Sequence, residues 1–282
     1  MDFLRPSTWE EALAAKAAHP EAVPIAGGTD VMVELNFDRR RPPALLDLTR
    51  VAALTEWGGD GDLLRVGAGV PYRRIIEELG GRLPGLAMAA RTVGSPQIRN
   101  RGTVGGNLGS ASPAGDAHPP LLAAGAEIEL ASVRGVRRVP VDEFFTGPKR
   151  SVLAPDELIA AFWMRPARTG DQFAKIGTRN AMVIAVCSFA LTLDRERRTV
   201  GTGIGSAAPT PVRAPAAEAF LAASLDWDSP GAVPPAVAAE FGRLVAAAAA
   251  PIDDVRGTAA YRRHALSVLA RRTLTWAWEG SR

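Results

Sequence analysis

Two glycine pairs carry the most legible chemistry in this chain. Ile25-Ala26-Gly27-Gly28-Thr29-Asp30 and Thr103-Val104-Gly105-Gly106-Asn107 each set adjacent glycines beside a hydroxyl or amide side chain. Glycine reaches positive φ and brings the backbone close to a ligand with no Cβ in the way, so successive N–H groups can converge on phosphate oxygens. The second segment runs on through Ser112-Pro113-Ala114-Gly115 to Asp116, a carboxylate suited to accept from ribose or base. One such loop is common; two with these neighbours read as one diphosphate cradle for a bulky dinucleotide.

Other chemistries are poorly represented. The histidines at 19, 118 and 264 show no metal-ligand spacing. His118, two residues past Asp116, reads as a helix-start or surface residue. The single cysteine, Cys187, excludes an internal disulfide or a cysteine-ligated cluster within this chain. It lies in Met182–Leu191, whose β-branched richness reads as a buried strand and makes the thiol a core group. Gly201-Thr202-Gly203-Ile204-Gly205 fits neither G-x-G-x-x-G nor the P-loop and reads as a tightly packed strand end.

A net charge of +3, with lysine only at 16, 149 and 175, is too small and dispersed for a nucleic-acid footprint. Arg39-Arg40-Arg41 reads as a solvated loop. No apolar run approaches the length of a membrane span, and Met1–Pro6 lacks a secretory pattern, so a cytoplasmic protein is expected.

The elements that must position these loops fall into three units, 1–61, 62–166 and 167–282. The first holds a helix behind a Ser7/Glu10 capping box, with Trp9, Leu13 and Ala17 on one face. A short strand, 22–25, delivers the first glycine loop, a second covers 44–48, and Gly58–Gly61 is expected as a closing loop. The second unit has a strand from Leu63, a helix from Pro71 to Gly80, a helix near 119–124, a hairpin over 127–131 and 136–141, and a strand over 157–164. The third has strands at 172–176, 181–193 and 200–204, with helices at 215–223, 233–250 and 258–276. The whole is an α+β protein.

Around the second loop, Gln97-Ile98-Arg99-Asn100-Arg101-Gly102-Thr103-Val104-Gly105-Gly106-Asn107-Leu108, then Ser112-Pro113 and Asp116, resembles the FAD-binding medium subunit of the molybdenum hydroxylases. That family includes the carbon monoxide dehydrogenase medium subunit and the xanthine dehydrogenase FAD domain. The likeness extends through Phe144-Phe145-Thr146-Gly147, Pro155-Asp156-Glu157-Leu158-Ile159, Lys175-Ile176-Gly177-Thr178-Arg179 and Asp253-Asp254-Val255-Arg256-Gly257-Thr258 into Tyr261-Arg262-Arg263. It implies a two-subdomain FAD-binding fold of the vanillyl-alcohol-oxidase/PCMH type, followed by a C-terminal α+β domain with a three-stranded antiparallel sheet and helices.

By the same resemblance, Pro24, Ile25, Ala26, Gly27, Gly28, Thr29, Asp30 and Val31, with Thr103, Val104, Gly105, Gly106 and Asn107, hold the pyrophosphate and ribityl chain. Ile98 and Ser112 belong to the binding motif, Asp116 takes the nucleotide end, and Val93 lines the adenine side. Ile159 packs near the cofactor, while Lys175 stands close to the isoalloxazine, where it or Arg179 would raise the flavin potential. No histidine follows Gly27-Gly28, so FAD is expected to bind non-covalently. Met182-Val183-Ile184 stands where family members often carry an acidic residue, and a lysine that some relatives carry is Asn36 here.

The implied role is electron transfer, with no catalytic residue of its own. FAD receives electrons from 2Fe–2S clusters on a small partner, a large partner holds molybdopterin, and the assembly is a heterotrimer or a dimer of heterotrimers. A self-contained FAD oxidoreductase acting on a small substrate is the alternative, and a scaffold that has lost its flavin is a third.

Overall fold

The computed structural model describes residues 1–167, 170–228 and 231–279. The last three residues of the expected third unit lie outside them. Near the N-terminus, β1 (Asp2–Leu4), α1 (Trp9–Ala18), β2 (Val23–Ile25), α2 (Val31–Asn36) and β3 (Ala44–Asp47) form a small layer. Its parallel sheet has the order β1-β3-β2. The cap of α1 is Thr8, one residue later than expected: Glu11 N donates to Thr8 Oγ1 at 3.1 Å and Thr8 N to the Glu11 carboxylate at 3.3 Å. This register turns Ala12 and Lys16 inward, flanked by Trp9 and Leu13. The Lys16 ammonium donates to Pro20 O and Ala22 O, both at 2.7 Å, and ties down the turn that feeds β2.

A five-stranded antiparallel sheet follows, in the order β4-β5-β10-β6-β7. Its strands are β4 (Trp57–Asp60), β5 (Leu63–Gly67), β6 (Glu127–Ser132), β7 (Gly135–Pro140) and, after the short pair β8 (Phe145–Gly147) and β9 (Arg150–Ser151), β10 (Leu158–Met164). The segment expected as a closing loop at Gly58–Gly61 is therefore mostly strand: Trp57 to Asp60 pair with Leu63 to Val66. Two glycines do not prevent pairing at a sheet edge, where little side-chain packing is required. Helices α3 (Tyr72–Glu78), α4 (Pro84–Thr92), α5 (Pro96–Arg101), α6 (Val104–Ser110), α7 (His118–Ala123) and α8 (Val141–Phe144) cover this unit. Its core gathers Leu64, Ile75, Leu86, Leu108, Ile128 and Phe162.

The last unit is an antiparallel sheet of β11 (Gln172–Ile176), β12 (Cys187–Asp194) and β13 (Thr199–Gly205), backed by α9 (Pro215–Ser224), α10 (Pro235–Ala248) and α11 (Ala259–Glu279). The α+β class and the three-stranded C-terminal sheet are as anticipated. One strand is shorter than expected: residues 182–186 precede β12, and Met182 sits at φ 51°. Met182 and Ile184 are exposed, so their apolar character belongs to a surface and not to a sheet interior.

The glycines of β13 join this unit to the preceding one. A Cβ on Gly201 would lie 1.9 Å from Ala123 O, and one on Gly203 would lie 2.0 Å from Pro119 O. The strand thus presses backbone-first onto α7, a contact that only glycine allows. Gly203→Ala is expected to lower stability by about 1–3 kcal/mol through overpacking, measured as a lower denaturant midpoint with an unchanged slope.

Candidate cofactor-binding site

β2 ends at Ile25 and releases the first glycine loop. Gly28 has φ 75°, the left-handed region that side chains disfavour. Gly27 is needed for a different reason, since a Cβ there would fall 1.9 Å from the carbonyl oxygen of Arg101. The first loop therefore rests, backbone on backbone, against the junction of α5 and α6. Among the described residues, no acceptor stands at the amides of Gly27, Gly28, Thr29, Asp30 or Val31. Five consecutive N–H groups at a groove wall are well suited to an anionic group.

The second glycine segment departs from expectation. It is the first turn of α6, capped by Thr103, and neither Gly105 nor Gly106 has positive φ. Gly105 N donates to Ala68 O at 3.2 Å, Gly106 N to Thr103 Oγ1 at 2.9 Å and Asn107 N to Thr103 O at 3.0 Å. A Cβ on Gly105 would lie 2.5 Å from Ala68, so this glycine serves packing of helix on strand end. The supposed cradle of two equivalent loops is one loop of open amides braced by a helix start in which the Gly105, Gly106 and Asn107 amides are already engaged.

Asp116 and Lys175 also depart from their expected places. They were assigned to opposite ends of an extended cofactor, yet Lys175 Nζ donates to Asp116 Oδ2 at 2.6 Å and to Thr92 O at 3.3 Å. The two side chains are 6% and 11% exposed, a buried ion pair between β11 and the segment before α7. The two residues therefore share one place in the fold. Burial pushes the Asp116 carboxyl above its ordinary range, opposed by the Lys175 charge. A paired Lys175 is no bare cation for tuning a ring, and Arg179 is turned onto Met182 O. Arg99 anchors the chain through Val93 O and Gly94 O at 3.0 and 3.1 Å.

These elements enclose a groove of about 1170 Å³, large enough for a dinucleotide. Of the expected set, Pro24, Ala26 to Val31, Val93, Ile98, Thr103, Gly105 to Asn107, Asp116 and Ile159 line it. Ile25, Val104, Ser112 and Lys175 do not. Val104 is in the core, Ser112 Oγ accepts from Ala114 N at 3.3 Å to close its own turn, and Lys175 reaches the groove only through Asp116. Tyr72 and the segment Met182 to Ile184 line the groove without having been anticipated. Nothing around Tyr72 but its place after Pro71 marks it, and the apolar run at 182–184 has the composition of a strand.

His118 opens α7 and is wholly buried, not at the surface. Its Nε2 faces Asn107 O at 3.1 Å, its ring lies 4.6 Å from that of Phe145, and burial lowers its pKa to about 4. The neutral imidazole locks α6 to α7 behind the groove. Burial likewise pushes the Cys187 thiol up to about 12, which suits a core group. Among the described residues there is no metal-binding cluster, and no helix is long and apolar enough to cross a membrane.

A groove with five free amides on one wall and a buried Asp116–Lys175 pair at its side fits FAD, and comparison with known proteins agrees. Residues 1–164 match the FAD binding domain in molybdopterin dehydrogenase, and residues 172–277 match the CO dehydrogenase flavoprotein C-terminal domain. The chain belongs to the FAD-binding subunits of the molybdenum hydroxylase family, oxidoreductases of the carbon monoxide and xanthine dehydrogenase type. It is 34% identical over 226 residues to the xanthine dehydrogenase FAD-binding subunit of Escherichia coli O157:H7, covering 77% of each chain. Identity to the nicotine 6-hydroxylase medium subunit of Paenarthrobacter nicotinovorans is 31% over 282 residues, covering 98% and 96%. A solved carbon monoxide dehydrogenase chain from Hydrogenophaga pseudoflava superposes with a TM-score of 0.90 at 26% identity, covering 100% of this chain and 98% of that one.

Gly27→Ala forces the first loop off the Arg101 carbonyl. FAD affinity is expected to fall about tenfold or more, measured by titrating the apoprotein and following flavin fluorescence.

Proposed function

We propose that this chain is the electron-exit subunit of a molybdopterin-dependent hydroxylase. FAD lies non-covalently in the groove, its diphosphate on the amides of Gly27 to Val31. The carrying observation is that run of five open N–H groups set against a helix start whose Gly105, Gly106 and Asn107 amides are engaged. When bound, FAD accepts electrons singly and releases them singly or in pairs, which joins one-electron donors to two-electron acceptors.

The chain's residues contribute binding, orientation and exclusion of water. Val93, Ile98 and Ile159 supply apolar wall, Met182 to Ile184 line the groove beside β11, and the Lys175–Asp116 pair fixes the C-terminal sheet against it. The single cysteine is buried in β12, so 2Fe–2S clusters must be carried by another polypeptide. Molybdopterin belongs in turn to a large partner. A relative named as a medium subunit supports such an assembly, a heterotrimer or its dimer. The acceptor is NAD⁺, a quinone or oxygen.

Mixing the FAD-loaded chain with reducing substrates, alone and with its partner subunits, tests this. Bleaching of the flavin band at about 450 nm is expected only in the assembled complex. Bleaching of the isolated chain by a small substrate would identify a self-contained oxidoreductase instead.

A further inference from the structure

Five cationic residues line the groove: Lys16, Arg39, Arg40, Arg101 and Lys149. Four of them are engaged. Lys16 donates to Pro20 O and Ala22 O, Lys149 donates to Glu34 at 3.2 Å, Arg40 stands 3.9 Å from the same carboxylate, and Arg39 lies against the Phe37 ring. Arg101 is the fifth. It is exposed, and among the described residues its guanidinium has no hydrogen-bond or ion-pair partner.

The backbone fixes where that side chain starts. Arg101 closes α5, and its carbonyl oxygen is the atom on which Gly27 rests, 1.9 Å from where a Cβ on Gly27 would fall. The side chain therefore leaves the main chain one backbone contact away from the first glycine loop, at the end where the run of open amides begins. The groove carboxylates Asp116 and Glu157 are already paired with Lys175 and Arg137, so neither draws the guanidinium away.

The loop lacks a cation of its own and is acidic toward its far end. Asp30 lies within the amide run, and Glu34 follows one turn on in α2. Burial first, then the Glu34 charge, hold the Asp30 carboxyl above its ordinary range. A diphosphate seated on Gly27 to Val31 adds its own negative charge to this wall, and backbone amides supply only partial positive charge against it. A guanidinium arriving from the Gly27 end offers a planar fork of donors that matches two phosphate oxygens at once. We propose that Arg101 is a cofactor-binding residue, its guanidinium closing over the diphosphate of FAD opposite the amides of Gly27 to Val31. The proposal rests on the FAD reading above and adds the counter-charge that the amide run lacks.

The contact with Gly27 is made by the Arg101 carbonyl, which every substitution retains, so side-chain variants isolate the guanidinium. The test uses the assembled complex, stripped of FAD and titrated with it. Arg101→Gln is expected to raise the FAD dissociation constant about tenfold, Arg101→Lys less than that, and Arg101→Glu more. The melting temperature of the apo complex should stay level in all three, because the side chain holds nothing in the absence of the cofactor. Oxidised FAD carries its negative charge on the diphosphate, so added salt should weaken FAD binding more in the wild type than in Arg101→Gln.

A dissociation constant unchanged in both Arg101→Gln and Arg101→Glu overturns the clamp. An equal loss in all three variants, with the salt dependence of the wild type, also overturns it, since packing and not charge would then be what Arg101 supplies. Failure of the wild-type complex to retain FAD would overturn the FAD reading itself, and the clamp with it, before any variant is compared.

Discussion

The site depends on one close approach, that of Gly27 to the carbonyl of Arg101. A methyl group at Gly27 would sit 1.9 Å from that oxygen. Through this contact the loop leaving the N-terminal parallel sheet is seated on the α5–α6 junction of the second unit, and two separately built layers come to share a groove. The positive φ of Gly28 then turns the chain so that the amides from Gly27 to Val31 stay free of internal acceptors. The first glycine is selected for contact and the second for conformation, so neither tolerates a side chain.

The remaining contacts hold the third unit to this groove. Gly201 and Gly203 press β13 onto α7, and His118, the first residue of α7, ties that helix back to Asn107 of α6. Lys175 of β11 reaches across to Asp116 at 2.6 Å. A buried ion pair is a poor source of net stability because desolvation offsets most of the attraction, but losing one partner leaves an expensive lone charge. The pair therefore acts as a register pin between units.

Much of this was legible in the residues. Helices α1, α3, α7, α9, α10 and α11, strands β2, β3 and β5 and the α+β order follow from turn chemistry and periodicity, and ordered motifs along most of the chain point to the FAD-binding family, but α2, α4, α5, α6 and α8 carry no such signal and go unread. What failed to show was long-range. Gly105-Gly106 and Gly27-Gly28 look alike as letters, yet only their neighbours in space, Ala68 and Arg101, distinguish a helix packed on a strand end from a loop of open amides. The pairing of Asp116 with Lys175 joins the turn before α7 to β11 across 59 residues and has no local signal. Gly58-Gly59 reads as a loop because glycine disfavours strands, but an edge position asks little of its side chains. Met182 to Ile184 carries strand-like residues in a surface segment, where pairing rather than propensity decides.

The account turns on a difference between two glycine segments, and amide hydrogen exchange with and without FAD measures it directly. The amides of Gly27 to Val31 should exchange rapidly in the apo form and gain strong protection when FAD is bound. Those of Gly105 to Asn107, already bonded, should be protected in both states. Equal gains at both segments, or no gain at Gly27 to Val31, would contradict the proposed seat of the diphosphate.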